Sequence, residues 1–214
     1  MYKCVIFDAD GTLFDTSEGI CECINYVLNL QKMKLLSKSE LVKFIGPPVF
    51  QSFKKICKIS DEEARKLTQM YRTYYVNEFY KKSILYFGMI DFLKELKENK
   101  IITGIATMKT QEQIDKLLEY QKVDQYFDLV SGVSEGISKK EDLILKVINN
   151  FHISTTNDVV MIGDTILDEK SAFNIKIDFV GVSYGFGFKK KDDLICNSHI
   201  LVDSVSQLKE KILK

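Results

Sequence analysis

Four short apolar runs rich in β-branched residues, at 4–7, 101–106, 159–162 and 179–182, constrain the fold of this chain more than any other feature. None alternates apolar with polar residues, the pattern of a strand buried on both faces. Between them, Met89, Phe92, Leu93 and Leu96 recur with helical spacing, as do Leu143, Ile144, Val147, Ile148 and Phe151. Strands alternating with helices predict an α/β fold, a parallel sheet covered by helices on both faces. A weaker run around Asp128 to Ser131 offers a fifth strand. At 214 residues the chain can bury a substantial core, as one large domain or one domain with a modest insertion.

Residues 17–82 break this rhythm. Ile20, Ile24, Val27 and Leu28 repeat with helical period, and so do Leu67, Tyr71, Tyr74, Tyr75 and Phe79, without a convincing strand among them. Both prolines, Pro47 and Pro48, fall mid-interval and mark a turn between helices. The interval reads as an all-helical insertion after the first strand.

Ligands of open parallel sheets bind beyond the carboxyl ends of the strands, where the loops converge. Asp8 and Asp10 follow the first run, Thr107 follows the second, and Gly163, Asp164 and then Asp168 follow the third. Several carboxylates in one pocket repel one another and take up protons unless a cation compensates them. A hard divalent ion with oxygen ligands does so most simply, magnesium being usual where a phosphate completes its coordination. Lys139 or Lys140, ahead of the helix at 141–151, adds the positive charge a transferring phosphoryl group needs.

These segments resemble, in order and spacing, the four motifs of the haloacid dehalogenase superfamily hydrolases. They are DADGTLFDT at 8–16, Thr107 within IATMK, Lys140 within KKEDLI, and GDTILD at 163–168. The resemblance is to the phosphoglycolate phosphatase-like and β-phosphoglucomutase-like group with a helical cap, and FIGPPVFQSF at 44–53 is similar to a segment of one of its branches. It implies a Rossmann-like core built from residues 1–16 and 83–214, with a helical cap domain at 17–82.

The resemblance also implies a mechanism. Asp8 attacks phosphorus to form an aspartyl-phosphate, and Asp10 serves as general acid and then general base. Magnesium is held by the Asp8 carboxylate, the Asp10 main-chain carbonyl and Asp164, with Asp168 ligating through water or orienting that shell. Thr107 and Lys140 hold the phosphoryl oxygens, and the cap closes over the substrate. The chain departs from the pattern at Met108 and Thr110, where many relatives have a small polar residue and proline, at Phe87, where proline is frequent, and at Glu141. With Lys139 adjacent, the third motif stays open by one position.

Plainer roles compete with these. Acidic residues after strands cap helices, and the Tyr71, Tyr74, Tyr75, Phe79 stripe reads as packing. His152 and His199 lack ligand spacing, and Lys189, Lys190 and Lys191 read as a solvated turn. Lys plus Arg and Asp plus Glu each total 30, so no overall field draws the chain to nucleic acid or an anionic membrane. Five cysteines without CxxC spacing suit buried, reduced thiols. The start of the chain lacks a signal-peptide pattern and no later run is long enough to cross a bilayer, so a soluble, cytoplasmic protein is expected. The predicted function is a magnesium-dependent phosphatase for a small phosphomonoester, phosphoglycolate- or nucleoside-monophosphate-like. A phosphosugar mutase of the β-phosphoglucomutase type is the alternative, and a non-catalytic phosphate- or protein-binding sensor a third reading.

Overall fold

A computed structural model describes residues 2–153, 155–196 and 199–214. In chain order the strands are β1 (Cys4–Phe7), β2 (Phe14–Asp15), β3 (Ile84–Leu85), β4 (Ile102–Thr110), β5 (Leu129–Val133), β6 (Val159–Gly163), β7 (Asp178–Val182) and β8 (Ile200–Val202). The helices are α1 (Ser17–Leu30), α2 (Lys38–Leu41), α3 (Val49–Cys57), α4 (Asp61–Asn77), α5 (Met89–Glu98), α6 (Gln111–Gln121), α7 (Lys140–Asn150), α8 (Ile166–Asn174) and α9 (Val205–Leu213). The chain divides into two compact units, one of residues 1–14 and 85–214 and the other of residues 15–84.

The larger unit holds a parallel sheet in the order β5-β4-β1-β6-β7-β8. Cys4, Val5, Ile6 and Phe7 are all fully buried because β1 lies mid-sheet with helices on either side. The apolar stripe of α7, Leu143, Ile144, Val147 and Ile148, joins the core formed by Cys4, Ile6, Val159 and Met161. On α5 the buried set is Met89, Phe92, Leu93 and Leu96, and Phe92 meets Phe7 edge to face at 5.9 Å.

Two differences from the sequence reading bear on the site. β4 does not stop at Ala106 but continues to Thr110, with a register shift between Ala106 and Thr110, so Thr107 stands within the strand rather than after it. A sixth strand, β8, pairs with β7 through Val180–Ile200 to Val182–Val202. Its three residues are too few for periodicity to reveal.

The smaller unit is helical apart from its chain ends. Cys23 of α1 donates its thiol to the Tyr71 carbonyl of α4 at 3.6 Å, Phe44 and Phe53 pack edge to face, and Tyr71 and Tyr75 are buried. The tyrosine stripe is packing there. Pro48 stands at the N-cap of α3, and Ser60 caps α4 through a reciprocal capping box with Glu63. All five cysteines are free, with Cys4 and Cys23 buried and the other three only half-buried. Among the described residues no helix is long and apolar enough to cross a membrane.

Candidate active site

The sheet register places the acidic segments side by side. Phe7 pairs with Ile105 on one flank and with Ile162 on the other, so Asp8, just past β1, stands one residue short of the level of Thr107, still within β4, and of Asp164, just past β6. The Asp8 amide continues the ladder by donating to the Ile162 carbonyl at 2.9 Å. Two glycines allow the segments to close up. Gly11 has a φ of +81°, and a Cβ there would lie 2.3 Å from Asp164 Oδ2; a Cβ on Gly163 would lie 2.4 Å from the Cβ of Asp168.

Asp8, Asp164 and Asp168 are buried, and one carboxylate oxygen of each lies within 4.8 Å of the others. Lys140, the first residue of α7, is also buried. Its ammonium contacts Asp8 Oδ1 and lies 2.7 Å from Asp168 Oδ1. A cation at the first turn of a helix opposes the helix dipole, and burial adds a desolvation cost. Carboxylates on both sides offset these costs. Burial pulls the Lys140 ammonium down, but Asp168 and Asp8 together hold it above its ordinary value. Lys139, one residue earlier, is exposed.

The remaining acids are equally specific in their contacts. Asp164 Oδ2 accepts from the amides of Phe186 at 2.7 Å and Gly187 at 3.2 Å, whereas its Oδ1 is buried with no hydrogen-bond partner among the described residues. Asp168 Oδ2 accepts from the Thr165 hydroxyl at 2.6 Å and the Thr165 amide at 3.1 Å, completing the cap of α8. The capping role and a place in the cluster therefore coexist in Asp168, one oxygen serving each. Thr107 is buried, and its hydroxyl oxygen accepts from the Lys109 amide at 3.3 Å.

Lys109 is a site residue that the sequence reading did not single out. Its ammonium is buried and lies 3.0 Å from Asp10 Oδ1. Thr107 and Lys109 both lie in the stretch of β4 where the register shifts, an irregularity that no spacing in the sequence announces. Met108, between them, packs against the hydrophobic core. Thr110 caps α6 by accepting from the Gln113 amide, which accounts for a hydroxyl there. Phe87 is almost fully exposed, and nothing in the structure explains it. Glu141 accepts from the Asn174 side chain at 3.0 Å, away from the cluster.

The electrostatics of the cluster suit a bound cation. Four carboxylates, Asp8, Asp10, Asp164 and Asp168, face two ammonium groups, Lys109 and Lys140, so two negative charges are unmatched. Burial first, then Asp168, pushes the Asp164 carboxyl up to about 7 against the opposing Phe186 and Gly187 amides. Asp8 is raised well above the carboxylate range, by burial first and also by Asp168, Asp10 and Asp164, while Lys140 opposes the rise. The charge surplus, the clustered oxygens and the unsatisfied Asp164 Oδ1 fit a hard divalent cation.

A pH dependence follows from Asp164. Its folded-state value lies above the 3.8 of the free group, so between 3.8 and about 7 the native state binds more protons than the unfolded chain. In that window this carboxyl makes the metal-free protein less stable as pH rises. The urea midpoint of EDTA-treated protein, taken relative to Asp164→Asn, should fall between about pH 5 and about pH 7.5, and magnesium should restore it at the higher pH. A relative midpoint that rises over this range would exclude a buried, protonated Asp164.

His199 does not stand alone. Its Nδ1 lies 2.8 Å from Oε1 of the buried Glu169, which also accepts the amides of Ile195 and Cys196 at 2.9 Å. This contact ties the segment before β8 to α8, outside the acidic cluster. Lys189, Lys190 and Lys191 are exposed.

Comparison with known proteins places this geometry in a family. The pyrophosphatase PpaX of Listeria monocytogenes serotype 4a is 26% identical over 188 residues, spanning 84% of this chain and 82% of the relative. The tyrosine-protein kinase PtkA of Mycobacterium bovis is also 26% identical, over 86% of this chain and 62% of the kinase. A predicted phosphatase from Clostridium acetobutylicum has a structure that superposes with a TM-score of 0.90 at 33% identity, covering 100% of this chain and 99% of that one. Family membership and phosphatase-named relatives together mark the chain as a hydrolase, consistent with a phosphoric monoester hydrolase. With the family model for haloacid dehalogenase-like hydrolases matching residues 5–182, the chain belongs to that family.

Proposed function

We propose that the chain is a magnesium-dependent phosphatase that hydrolyses a small phosphomonoester, of the phosphoglycolate or nucleoside monophosphate kind, through an aspartyl-phosphate on Asp8. The observation that carries this reading is the buried cluster of Asp8, Asp164 and Asp168 around Lys140, with one Asp164 oxygen left unsatisfied.

The Asp8 carboxylate, the Asp164 oxygen without a partner and the Asp10 main-chain carbonyl would hold magnesium, and Asp168 would orient that shell, since Thr165 and Lys140 engage its own oxygens. When bound, the ion would supply positive charge between the nucleophile and the phosphoryl oxygens.

The chain's own groups carry the steps. An Asp8 oxygen forms the new bond to phosphorus as the bond to the leaving oxygen breaks, and Asp10 gives that oxygen its proton. Asp10 then takes a proton from water. The water oxygen bonds to phosphorus while the Asp8–phosphorus bond breaks, releasing phosphate. Lys140 fixes Asp8 and, with the Thr107 hydroxyl, stabilises the phosphoryl oxygens as charge shifts among them. Lys109 holds the Asp10 carboxyl in position through their 3.0 Å contact.

The test is phosphate release from a panel of phosphomonoesters, with pyrophosphate added because of the Listeria relative, in magnesium and in EDTA. The expected result is magnesium-dependent release from monoesters in preference to pyrophosphate. Full activity in EDTA would sink the metal assignment. An isomerised product from a bisphosphorylated sugar would replace hydrolysis with mutase chemistry, and no release from any ester would favour a binding role.

A further inference from the structure

The chain carries twenty-eight lysines and two arginines, and both arginines stand on one helix, α4. Arg65 and Arg72 are seven residues apart, two turns along the same helix face, with Thr68 and Gln69 between them. These four side chains, with Phe50 of α3, line an open cleft of about 320 Å³ on the surface of the helical unit, where Arg65, Gln69 and Arg72 are exposed.

Neither guanidinium has an acid of the protein to itself. Among the described residues Arg72 has no ion-pair partner. Arg65 reaches Asp61 only at 3.9 Å, and Lys54 holds that carboxylate at 2.6 Å. The Arg65 guanidinium carbon lies 5.7 Å from the centre of the Phe50 ring, a contact that orients the fork without cancelling its charge. Thr68 spends its hydroxyl proton on the Ala64 carbonyl at 2.7 Å. The donors left to a ligand are therefore the two guanidinium forks and the Gln69 amide. Such forks match oxyanions bidentately, whereas lysine offers only a point charge.

We propose that this cleft is an oxyanion site that takes a phosphoryl group, with Arg65 and Arg72 forking onto its oxygens from the two ends and the Gln69 amide donating between them. The reading does not depend on the phosphatase assignment.

The scarcity of arginine makes a direct test available. The arginine Nε–Hε NMR spectrum of the full chain contains two signals, and both report on this cleft. The chain in EDTA is titrated with inorganic phosphate, with pyrophosphate, and with sodium chloride at matched ionic strength. Both signals should move along one common saturating curve with at least one of the phosphate probes and not with chloride. Saturation by inorganic phosphate identifies a free phosphate ligand, and saturation by pyrophosphate alone identifies a longer anion. Arg72→Lys, which keeps the charge and removes the fork, should weaken the binding seen at Arg65 about tenfold. Asp8→Asn should leave the curve unchanged, which separates failure of this site from failure of the phosphatase reading. Linear shifts equal to those in chloride, or movement of only one signal, would overturn the proposal. The wild-type titration decides this even where Arg72→Lys does not fold.

Discussion

Asp8→Asn should reduce phosphate release on the order of 10⁴-fold or more while leaving the protein folded. The amide is nearly isosteric with the carboxylate but cannot form the phospho-enzyme, so the loss falls on turnover rather than on substrate affinity. Stability should move little, or rise, in the metal-free protein. Asp8 is buried with its carboxyl held above the usual range, so its charge is unfavourable there, and Lys140 keeps Asp168 at 2.7 Å as a partner. With magnesium present the order should reverse, because the variant offers the ion one formal charge fewer. The measurement is single-turnover phosphate release beside urea unfolding, each with magnesium and with EDTA. Turnover within about tenfold of wild type would remove Asp8 from the nucleophile's role.

How much of this site could be read in the sequence depends on which physical signal each part leaves there. β1, β6 and β7 were visible because strands buried on both faces must be apolar without interruption, and the carboxylates were visible because they follow such runs directly. β8 leaves no comparable trace, since Ile200, Leu201 and Val202 form only an edge. The choice between Lys139 and Lys140 is set by where α7 begins. Starting the helix at Lys140 turns that side chain into the cluster and leaves Lys139 outside, a tertiary decision that adjacent identical residues cannot record. Lys109 was hidden by a wrong strand end. β4 runs on to Thr110 through a register shift after Ala106, and Lys109 lies in that irregular stretch, where no local pattern in the sequence records which way it faces. The Glu169–His199 contact joins residues 30 apart in the chain, and neither has a local pattern that announces the other.

Lys140→Met should be the most destabilising single change in the cluster, and it should also cost about 10²–10³-fold in turnover. Methionine approximates the volume of the lysine stem, so packing around the start of α7 changes little and the effect is electrostatic. Removing the ammonium leaves Asp8 and Asp168 buried without their shared partner. Breaking a buried ion pair from one side costs about 3–5 kcal/mol. Protonation of Asp8, whose carboxyl burial already holds above the usual range, relieves that cost, so the loss of stability should shrink as pH falls towards about 5. Magnesium should relieve it too, by supplying the missing positive charge, but should not restore turnover, because no ammonium remains to meet the phosphoryl oxygens. Lys139→Met is the matched control. That side chain is exposed, and its replacement should change stability by no more than about 0.5 kcal/mol. Urea midpoints of both variants against pH, with and without magnesium, test the assignment together. Equal effects at the two positions would mean that Lys140 is not the charge on which the cluster depends. A large effect at 140 alone, relieved by acid and by the metal, would tie folding and phosphoryl transfer to one buried ammonium.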